Sequence, residues 1–189
     1  MKQQSNIVIV GTGGQGLITL LKVISEAALQ ERYEVRTSEL HGLSQRGGSV
    51  EVHVRFGEKI YSPLVEKGKA DLVISLELQE ALRAINYSSD KTNYLINNFS
   101  VQIANNPPLT VEQVKKGLGF VKEVIISDAS EICQKELGTN VVAGIYLLGE
   151  AVSKDLLPLK SESIIFAIKK IVPEKFLELN LKALSLGRK

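Results

Sequence analysis

The fold is decided by the stretch Ile7-Val8-Ile9-Val10-Gly11-Thr12-Gly13-Gly14-Gln15-Gly16. Its apolar, β-prone residues lead directly into a glycine-rich loop. From Leu17 to Ala28, apolar residues then recur at three- and four-residue steps, which is the period of an amphipathic helix. The order predicts a strand, a tight turn and a helix, the first unit of a Rossmann-like α/β domain.

The glycine loop Gly11-Thr12-Gly13-Gly14-Gln15-Gly16 has the spacing G-x-G-x-x-G. Glycines in such a loop allow positive φ, close approach of the backbone to a ligand, and tight packing of helix on strand. The N–H groups that open the helix near Gly16 favour a phosphate or a carboxylate. A glycine turn that only lets the helix pack is the alternative interpretation, and the motif alone does not decide between them.

Composition indicates one globular domain over residues 1–189. The chain is 44% hydrophobic and 23% charged, a balance that can bury a core. Its net charge is +2 with no basic block, which argues against nucleic-acid binding. We see no apolar run of about 18 residues and no signal-peptide pattern at the start, so no membrane association and a cytoplasmic location are expected.

Cys133 is the only cysteine. It can form no intrachain disulfide, and by itself it can support neither a cysteine-rich zinc site nor an iron–sulfur cluster. We therefore predict that this chain alone binds no metal, and that Cys133 is a small apolar residue in a helix.

The rest of the chain alternates strands and helices. A second strand is predicted at 33–38 and a hairpin after it, with strands at 49–56 and 60–62 around the turn 57–59. In 49–56, Val50, Val52, Val54 and Phe56 alternate with Glu51, His53 and Arg55. The fold predicted is an open, mostly parallel twisted sheet flanked by helices, with an inserted β-hairpin after the second strand. Further strands are predicted at 71–76, 92–97 and 124–126, and helices at 77–85, 111–116, 128–138, 139–153, 161–171 and 174–186.

A polar loop follows the second strand. Glu39 lies about 20 residues beyond the glycine loop, where dinucleotide-binding folds place an acid on a ribose. The residues that follow it do not fit that fold, because they form a loop rich in glycine and in hydrogen-bond donors, namely His41, Gly42, Ser44, Gln45, Arg46, Gly47 and Gly48.

In order and spacing, these stretches resemble the gamma subunit, or gamma domain, of the 2-oxoacid:ferredoxin oxidoreductases. The resemblance covers nearly the whole chain, and some later segments are similar to the beta subunit of the indolepyruvate branch. The motifs that carry it are Gly11-x-Gly13-Gly14-Gln15-Gly16, Glu39-x-His41-Gly42-x-Ser44-Gln45-Arg46-Gly47-Gly48-Ser49-Val50, Gly68-x-Ala70-Asp71-Leu72, Glu80-Ala81-Leu82-Arg83-x-Ile85-Asn86-Tyr87, Thr139-Asn140-Val141-Val142 and Val172-Pro173-x-Lys175.

The resemblance implies an oxidoreductase subunit that is inactive alone. The family converts a 2-oxoacid and CoA to an acyl-CoA and CO2 and passes electrons to ferredoxin, and the indolepyruvate branch implies indolepyruvate or another arylpyruvate as the 2-oxoacid. Thiamine diphosphate, Mg and 4Fe-4S clusters are expected in a large, alpha-type partner subunit, because this chain has one cysteine and no Gly-Asp-Gly motif with a downstream Asn. CoA is a possible co-substrate at the interface. The alternatives are a gamma subunit for pyruvate, 2-oxoisovalerate or 2-oxoglutarate, a subunit that only shapes the partner's active site, or a stand-alone nucleotide-binding domain.

Within the polar loop, Arg46 is the first candidate for function. Its guanidinium can grip a carboxylate or phosphate in bidentate fashion, whereas the structural alternative is an ion pair with a nearby acid such as Glu39. Ser44 and Gln45 can orient a ligand or bond within the loop. His41 can donate to an anion, transfer a proton or hold the turn, and a structural role is expected for His53.

Overall fold

The computed structural model describes residues 4–42, 47–101 and 107–189. Its strands are β1 (Ser5–Thr12), β2 (Glu34–His41), β3 (Ser49–Gly57), β4 (Leu72–Ser75), β5 (Asn93–Asn97) and β6 (Glu123–Ser127). They form one sheet in the order β2-β3-β1-β4-β5-β6. Only β3 runs against the others: it pairs antiparallel with β1 and β2, while β1, β4, β5 and β6 pair in parallel. The predicted mostly parallel α/β sheet is thus confirmed.

Two hydrophobic cores lie on the two faces of this sheet, because successive side chains of a strand point to opposite sides. On β1, Ile7 and Ile9 face the larger core, whereas Val8 and Val10 face the smaller one. Central strands buried on both faces read as continuous apolar runs, which explains the sequence pattern of β1.

Helices cover both faces. They are α1 (Leu17–Gln30), α2 (Leu78–Ala81), α3 (Val111–Gly117), α4 (Ala129–Leu137), α5 (Ala143–Ser153), α6 (Ser161–Ile171) and α7 (Glu174–Gly187). Residues of α1, α4, α5, α6 and α7 belong to the larger core. Residues of α2, α3 and the 3-10 turn at 82–87 belong to the smaller one.

Local signals set several helix ends. Thr110 and Gln113 form a reciprocal capping box at the start of α3. Gly138 ends α4 with φ of 75°, in the left-handed region that favours glycine. The helix predicted from residue 139 begins four residues later, at Ala143, because the Ala143 N–H donates to the Asn140 carbonyl at 3.0 Å and closes a turn ahead of the helix.

The hairpin differs from the prediction in one respect: residues 60–62 form no strand. Instead, β3 lies between β2 and β1 and pairs antiparallel with both. Side chains of β3 bind the backbone of the following segment instead. Arg55 Nη1 donates to the carbonyls of Ser62 and Leu64 at 3.0 and 2.9 Å, and the Val65 N–H donates to His53 Nδ1 at 2.9 Å. These bonds satisfy backbone groups that a ladder would otherwise pair.

Among the described residues, we find no helix with the length and apolar character needed to cross a bilayer.

Candidate functional site

The glycine loop has the geometry that its spacing predicts. Gly14 and Gly16 have φ of 104° and 84°, and Gly16 is the N-cap of α1. A Cβ on Gly11 would lie 2.6 Å from Gln15 Oε1, 3.1 Å from Leu76 Cβ and 3.3 Å from Leu17 Cδ1 at the start of α1, so this strand end is tightly packed. Gln15 Oε1 in turn accepts the Thr12 N–H at 2.9 Å, which closes the loop on itself.

A cleft of about 380 Å³ opens beside this loop. Gly13, Gly14 and Gly47 line one rim, and Phe99 and Val101 line the other. The cleft lies where the parallel strands β1, β4 and β5 end. It is also the point where strand order reverses, since the chain passes from β1 to β2 and β3 on one side and then to β4 on the other. Open α/β sheets bind ligands at such switch points.

The floor of the cleft is fixed by Asn97, which is 1% exposed at the end of β5. Its Nδ2 donates to the Leu76 carbonyl at 3.1 Å and to Ser130 Oγ at 2.7 Å. Its Oδ1 accepts the Ser130 N–H at 3.0 Å. One buried amide therefore joins the ends of two strands to the first turn of α4. No predicted motif included this residue, although an asparagine that closes a buried apolar strand is a usable signal.

An apolar groove of about 630 Å³ adjoins the cleft, and Gln15, Val141 and Gly144 line both. The groove runs between the start of α1, the turn before α5 and the junction of α6 with α7. Val141 and Phe176 at its edge are 65% and 46% exposed. Exposed apolar surface beside a cleft is typical of interaction sites.

A polar network lies on the smaller-core side of β3. His53 is fully buried, and its Nδ1 accepts a backbone N–H, so Nε2 carries the proton and donates to Glu51 Oε1 at 3.0 Å. Tyr87 O–H donates to the same oxygen at 2.8 Å. Burial raises the pKa of Glu51, but the hydrogen bonds from His53 and Tyr87 outweigh it and leave the pKa below its ordinary value. Burial and the bond to Glu51 raise the pKa of Tyr87 to about 12. This geometry agrees with a structural His53.

The structure brings part of the predicted polar loop to the glycine loop. The Gly13 N–H donates to the Gly48 carbonyl at 2.9 Å, and Gly47 lines the cleft. Gly42 follows the end of β2. Ser44, Gln45 and Arg46 lie outside the described residues, as does the side chain of His41. Their predicted roles therefore stay predictions.

Two other predicted residues are placed clearly. Glu39 lies on the edge strand β2, and β3 separates it from β1, so it is one strand further from the glycine loop than in a dinucleotide fold. Cys133 is buried in α4, and burial raises the pKa of its thiol to about 11. Within the described part of the chain, no three His, Cys, Asp or Glu side chains are grouped as a metal site.

The fold and the cleft define a class: an α/β domain with a glycine loop at a switch point and one antiparallel strand inserted beside β1. Comparison with known proteins identifies the family within this class. The chain belongs to the pyruvate ferredoxin/flavodoxin oxidoreductase family, whose pattern it matches over residues 6–189. The resemblance inferred from the sequence is thereby confirmed.

Several relatives are similar nearly from end to end. The chain is 38% identical to the indolepyruvate oxidoreductase subunit IorB of Thermococcus kodakarensis, covering 99% of this chain and 96% of that one. It is 36% identical to the IorB subunit of Archaeoglobus fulgidus, over 96% and 92% of the two chains.

Solved structures share the fold. The pyruvate oxidoreductase subunit PORC of Thermotoga maritima superposes with a TM-score of 0.76 at 22% identity, over 99% of this chain and 96% of that one. The 2-oxoglutarate:ferredoxin oxidoreductase of Magnetococcus marinus, whose structure holds 2-oxoglutarate, coenzyme A and succinyl-CoA, matches with a TM-score of 0.75 at 18% identity. That match covers 100% of this chain and 31% of the larger one.

Proposed function

We propose that this chain is the accessory, beta-type subunit of a heteromeric 2-oxoacid:ferredoxin oxidoreductase that acts on indolepyruvate or other arylpyruvates. The observation that carries the proposal is the near full-length similarity to IorB subunits, at 33–38% identity. In the reaction the carbon–carbon bond to the carboxylate breaks, CO2 leaves, and the thioester to CoA forms as a proton is released and two electrons pass to ferredoxin.

Thiamine diphosphate with Mg and the 4Fe-4S clusters would supply the carbanion and electron-transfer chemistry from the large subunit. The single cysteine of this chain is buried in α4, an environment that suits packing and not cluster ligation. This chain's contribution is then to position a ligand and to complete the wall of the partner's site.

The cleft is the proposed place for part of CoA. The left-handed Gly14 and Gly16 hold the loop open at the N-terminus of α1, where backbone N–H groups favour a phosphate. The donors of the loop 41–48 would face the large subunit beside it, with Arg46 adding positive charge. The apolar groove with Val141 and Phe176 is the proposed contact surface for that subunit.

Copurification from the native source tests the proposal. A large subunit with thiamine diphosphate and clusters should accompany this chain, and the reconstituted pair should reduce ferredoxin with indolepyruvate and CoA. The isolated chain should be colourless and inactive. Preference of the complex for pyruvate, 2-oxoisovalerate or 2-oxoglutarate would move the chain to another branch, and cluster absorbance or ferredoxin reduction by the isolated chain would refute the accessory role.

A further inference from the structure

Two buried carboxylates at the start of α2 have no part in the function proposed above. Glu77 is the N-cap of this short helix and is 2% exposed; Glu80 lies in its first turn and is 6% exposed. Buried acids are costly unless they are paired or hydrogen-bonded. Their partners therefore indicate what they are for.

Glu80 is bonded to the rim that carries the glycine loop. Its Oε1 accepts the hydroxyl of Ser49 at 2.9 Å, and Ser49 is the first residue of β3. The residue before it, Gly48, accepts the N–H of Gly13 at 2.9 Å. A short path of two hydrogen bonds and one peptide thus connects α2 to the glycine loop. Arg83 also donates to Glu80 at 3.0 Å, but its side chain is 62% exposed and lies on the solvent side.

Glu77 is bonded to the opposite rim. Its Oε2 accepts the N–H of Val101 at 3.2 Å, and the N–H of Leu78 donates to the carbonyl of Phe99 at 2.8 Å. Phe99 and Val101 both line the cleft. The same helix therefore holds both rims, through one carboxylate on each side.

The second oxygen of each acid strengthens the inference. Glu77 Oε1 and Glu80 Oε2 are buried without a hydrogen-bond partner in the described part of the chain. Burial raises the pKa of Glu80, and the charge of Glu77 raises it further. Each acid thus pays for burying one oxygen that has no partner, and only its other oxygen bonds to a rim of the cleft, so burial energy alone does not account for these residues.

We propose that Glu77 and Glu80 are positioning residues that hold the two rims of the cleft in register and so determine how tightly the cleft binds its ligand. The identity of that ligand as CoA rests on the proposed function, whereas the hydrogen bonds of Glu77 and Glu80 to the two rims are observed independently of it.

The test uses the full chain with Glu77→Ala, Glu80→Ala and the corresponding Gln variants. Amide exchange followed by NMR should accelerate about tenfold at Val101 in Glu77→Ala, and at Gly13 in Glu80→Ala, each without the other. CoA titrated by calorimetry should bind about tenfold more weakly to either Ala variant. The Gln variants keep a carbonyl oxygen as acceptor and should stay within about threefold of the wild type.

Two further variants separate the contacts of Glu80. Ser49→Ala should reproduce the exchange pattern of Glu80→Ala, because it breaks the same bond, whereas Arg83→Ala is the matched control and should leave both amides unchanged. Unchanged exchange at Val101 and Gly13 in the Ala variants, or wild-type CoA affinity in both, would overturn the positioning role. If the wild-type chain itself does not bind CoA, the proposed co-substrate site fails, and the exchange pattern alone decides for or against the role of the two acids.

Discussion

At the scale of single residues, the pKa values of Glu80 and Glu51 are shifted in opposite directions, so we predict opposite effects of the two residues on the pH dependence of stability. Burial raises the folded-state pKa of Glu80 above 4.5, its ordinary value in an unfolded chain. At pH values between the unfolded-state and the folded-state pKa, the native state therefore binds the proton more tightly than the unfolded chain does. The contribution of Glu80 to stability falls as pH rises through this interval. Glu80→Gln removes the dependence, so its stability relative to the wild type should improve as pH rises above 4.5.

Glu51→Gln is the matched control. The hydrogen bonds from His53 and Tyr87 leave the folded-state pKa of Glu51 below 4.5, so its contribution is present above that value and is lost as pH falls. The stability of Glu51→Gln relative to the wild type should therefore worsen as pH rises through 4.5. Urea denaturation at pH values below and above 4.5 measures both trends. Parallel trends in the two variants would contradict the predicted difference between Glu80 and Glu51.

We also predict the effect of substituting Arg46 on activity. In a desolvated site a charge-assisted, bidentate contact is stronger than a neutral hydrogen bond. By analogy with the removal of one oxyanion-hole donor, Arg46→Ala should cost about 2–4 kcal/mol of transition-state stabilisation. This corresponds to a loss in kcat/KM of roughly thirty- to a thousandfold in the reconstituted complex. Arg46→Lys should recover only part of it, because an ammonium keeps the charge and loses the fork.

The assay for Arg46 requires that the subunits still copurify and that the chain melts normally. Turnover near the wild-type level with both oxoacid and CoA varied would refute the role in catalysis. Failure to assemble would assign Arg46 to the subunit interface.

At the scale of elements, the packing of α5 on α7 depends on two glycines. A Cβ on Gly149 would collide with the carbonyl of Leu184, and one on Gly187 would collide with the carbonyl of Tyr146. Both obstacles are backbone atoms of helices, which cannot rotate away as a side chain can. Gly149→Ala and Gly187→Ala should each lower the free energy of unfolding by about 1–3 kcal/mol, measured by chemical denaturation.

Gly144→Ala in the same helix α5 is the control. Its added methyl would lie 3.6 Å from Leu76 and 3.7 Å from Leu20, in ordinary van der Waals contact. Because alanine favours a helix over glycine by up to about 1 kcal/mol, this variant should be neutral or stabilised. Equal losses at all three positions would show that helix contact is not the cause.

At the scale of the whole molecule, the order of the strands argues against a dinucleotide site. The inserted β3 moves β2, with Glu39, about 5 Å further from β1 than in a dinucleotide-binding sheet. We expect NAD(H) to bind weakly or not at all. Calorimetry that gave micromolar affinity, about −8 kcal/mol, would favour the stand-alone nucleotide-binding alternative instead.

The apolar groove gives a second prediction at this scale. If the large subunit covers it, Phe176→Asp should weaken assembly of the complex by at least about tenfold, because a charge would be buried in an apolar contact. Phe166 is 42% exposed, close to the 46% of Phe176, but lies on α6 outside the groove, so Phe166→Asp is the matched control. Copurification yields or a binding titration measure the difference, and equal effects would remove the groove from the interface.

The sequence by itself determined most of the elements and the family. The apolar run into Gly11, the cap at Thr110 and the stop at Gly138 act through neighbours in the chain, so their consequences can be worked out from local spacing. The glycine loop and the polar loop 41–48 were likewise recognisable as motifs.

Only the tertiary structure decided how these elements combine. The insertion of β3 between β2 and β1 depends on which strand edges meet. The alternation of apolar and polar side chains in β3 is equally compatible with pairing to a return strand at 60–62, so the pattern could not choose between the two partners. The roles of Asn97, Glu77 and Glu80 depend on partners 21 to 33 residues away in the chain. A local pattern can single out such a residue but does not encode its partners, because these contacts arise only when the ends of β4 and β5 and the start of β3 are brought to one edge of the sheet.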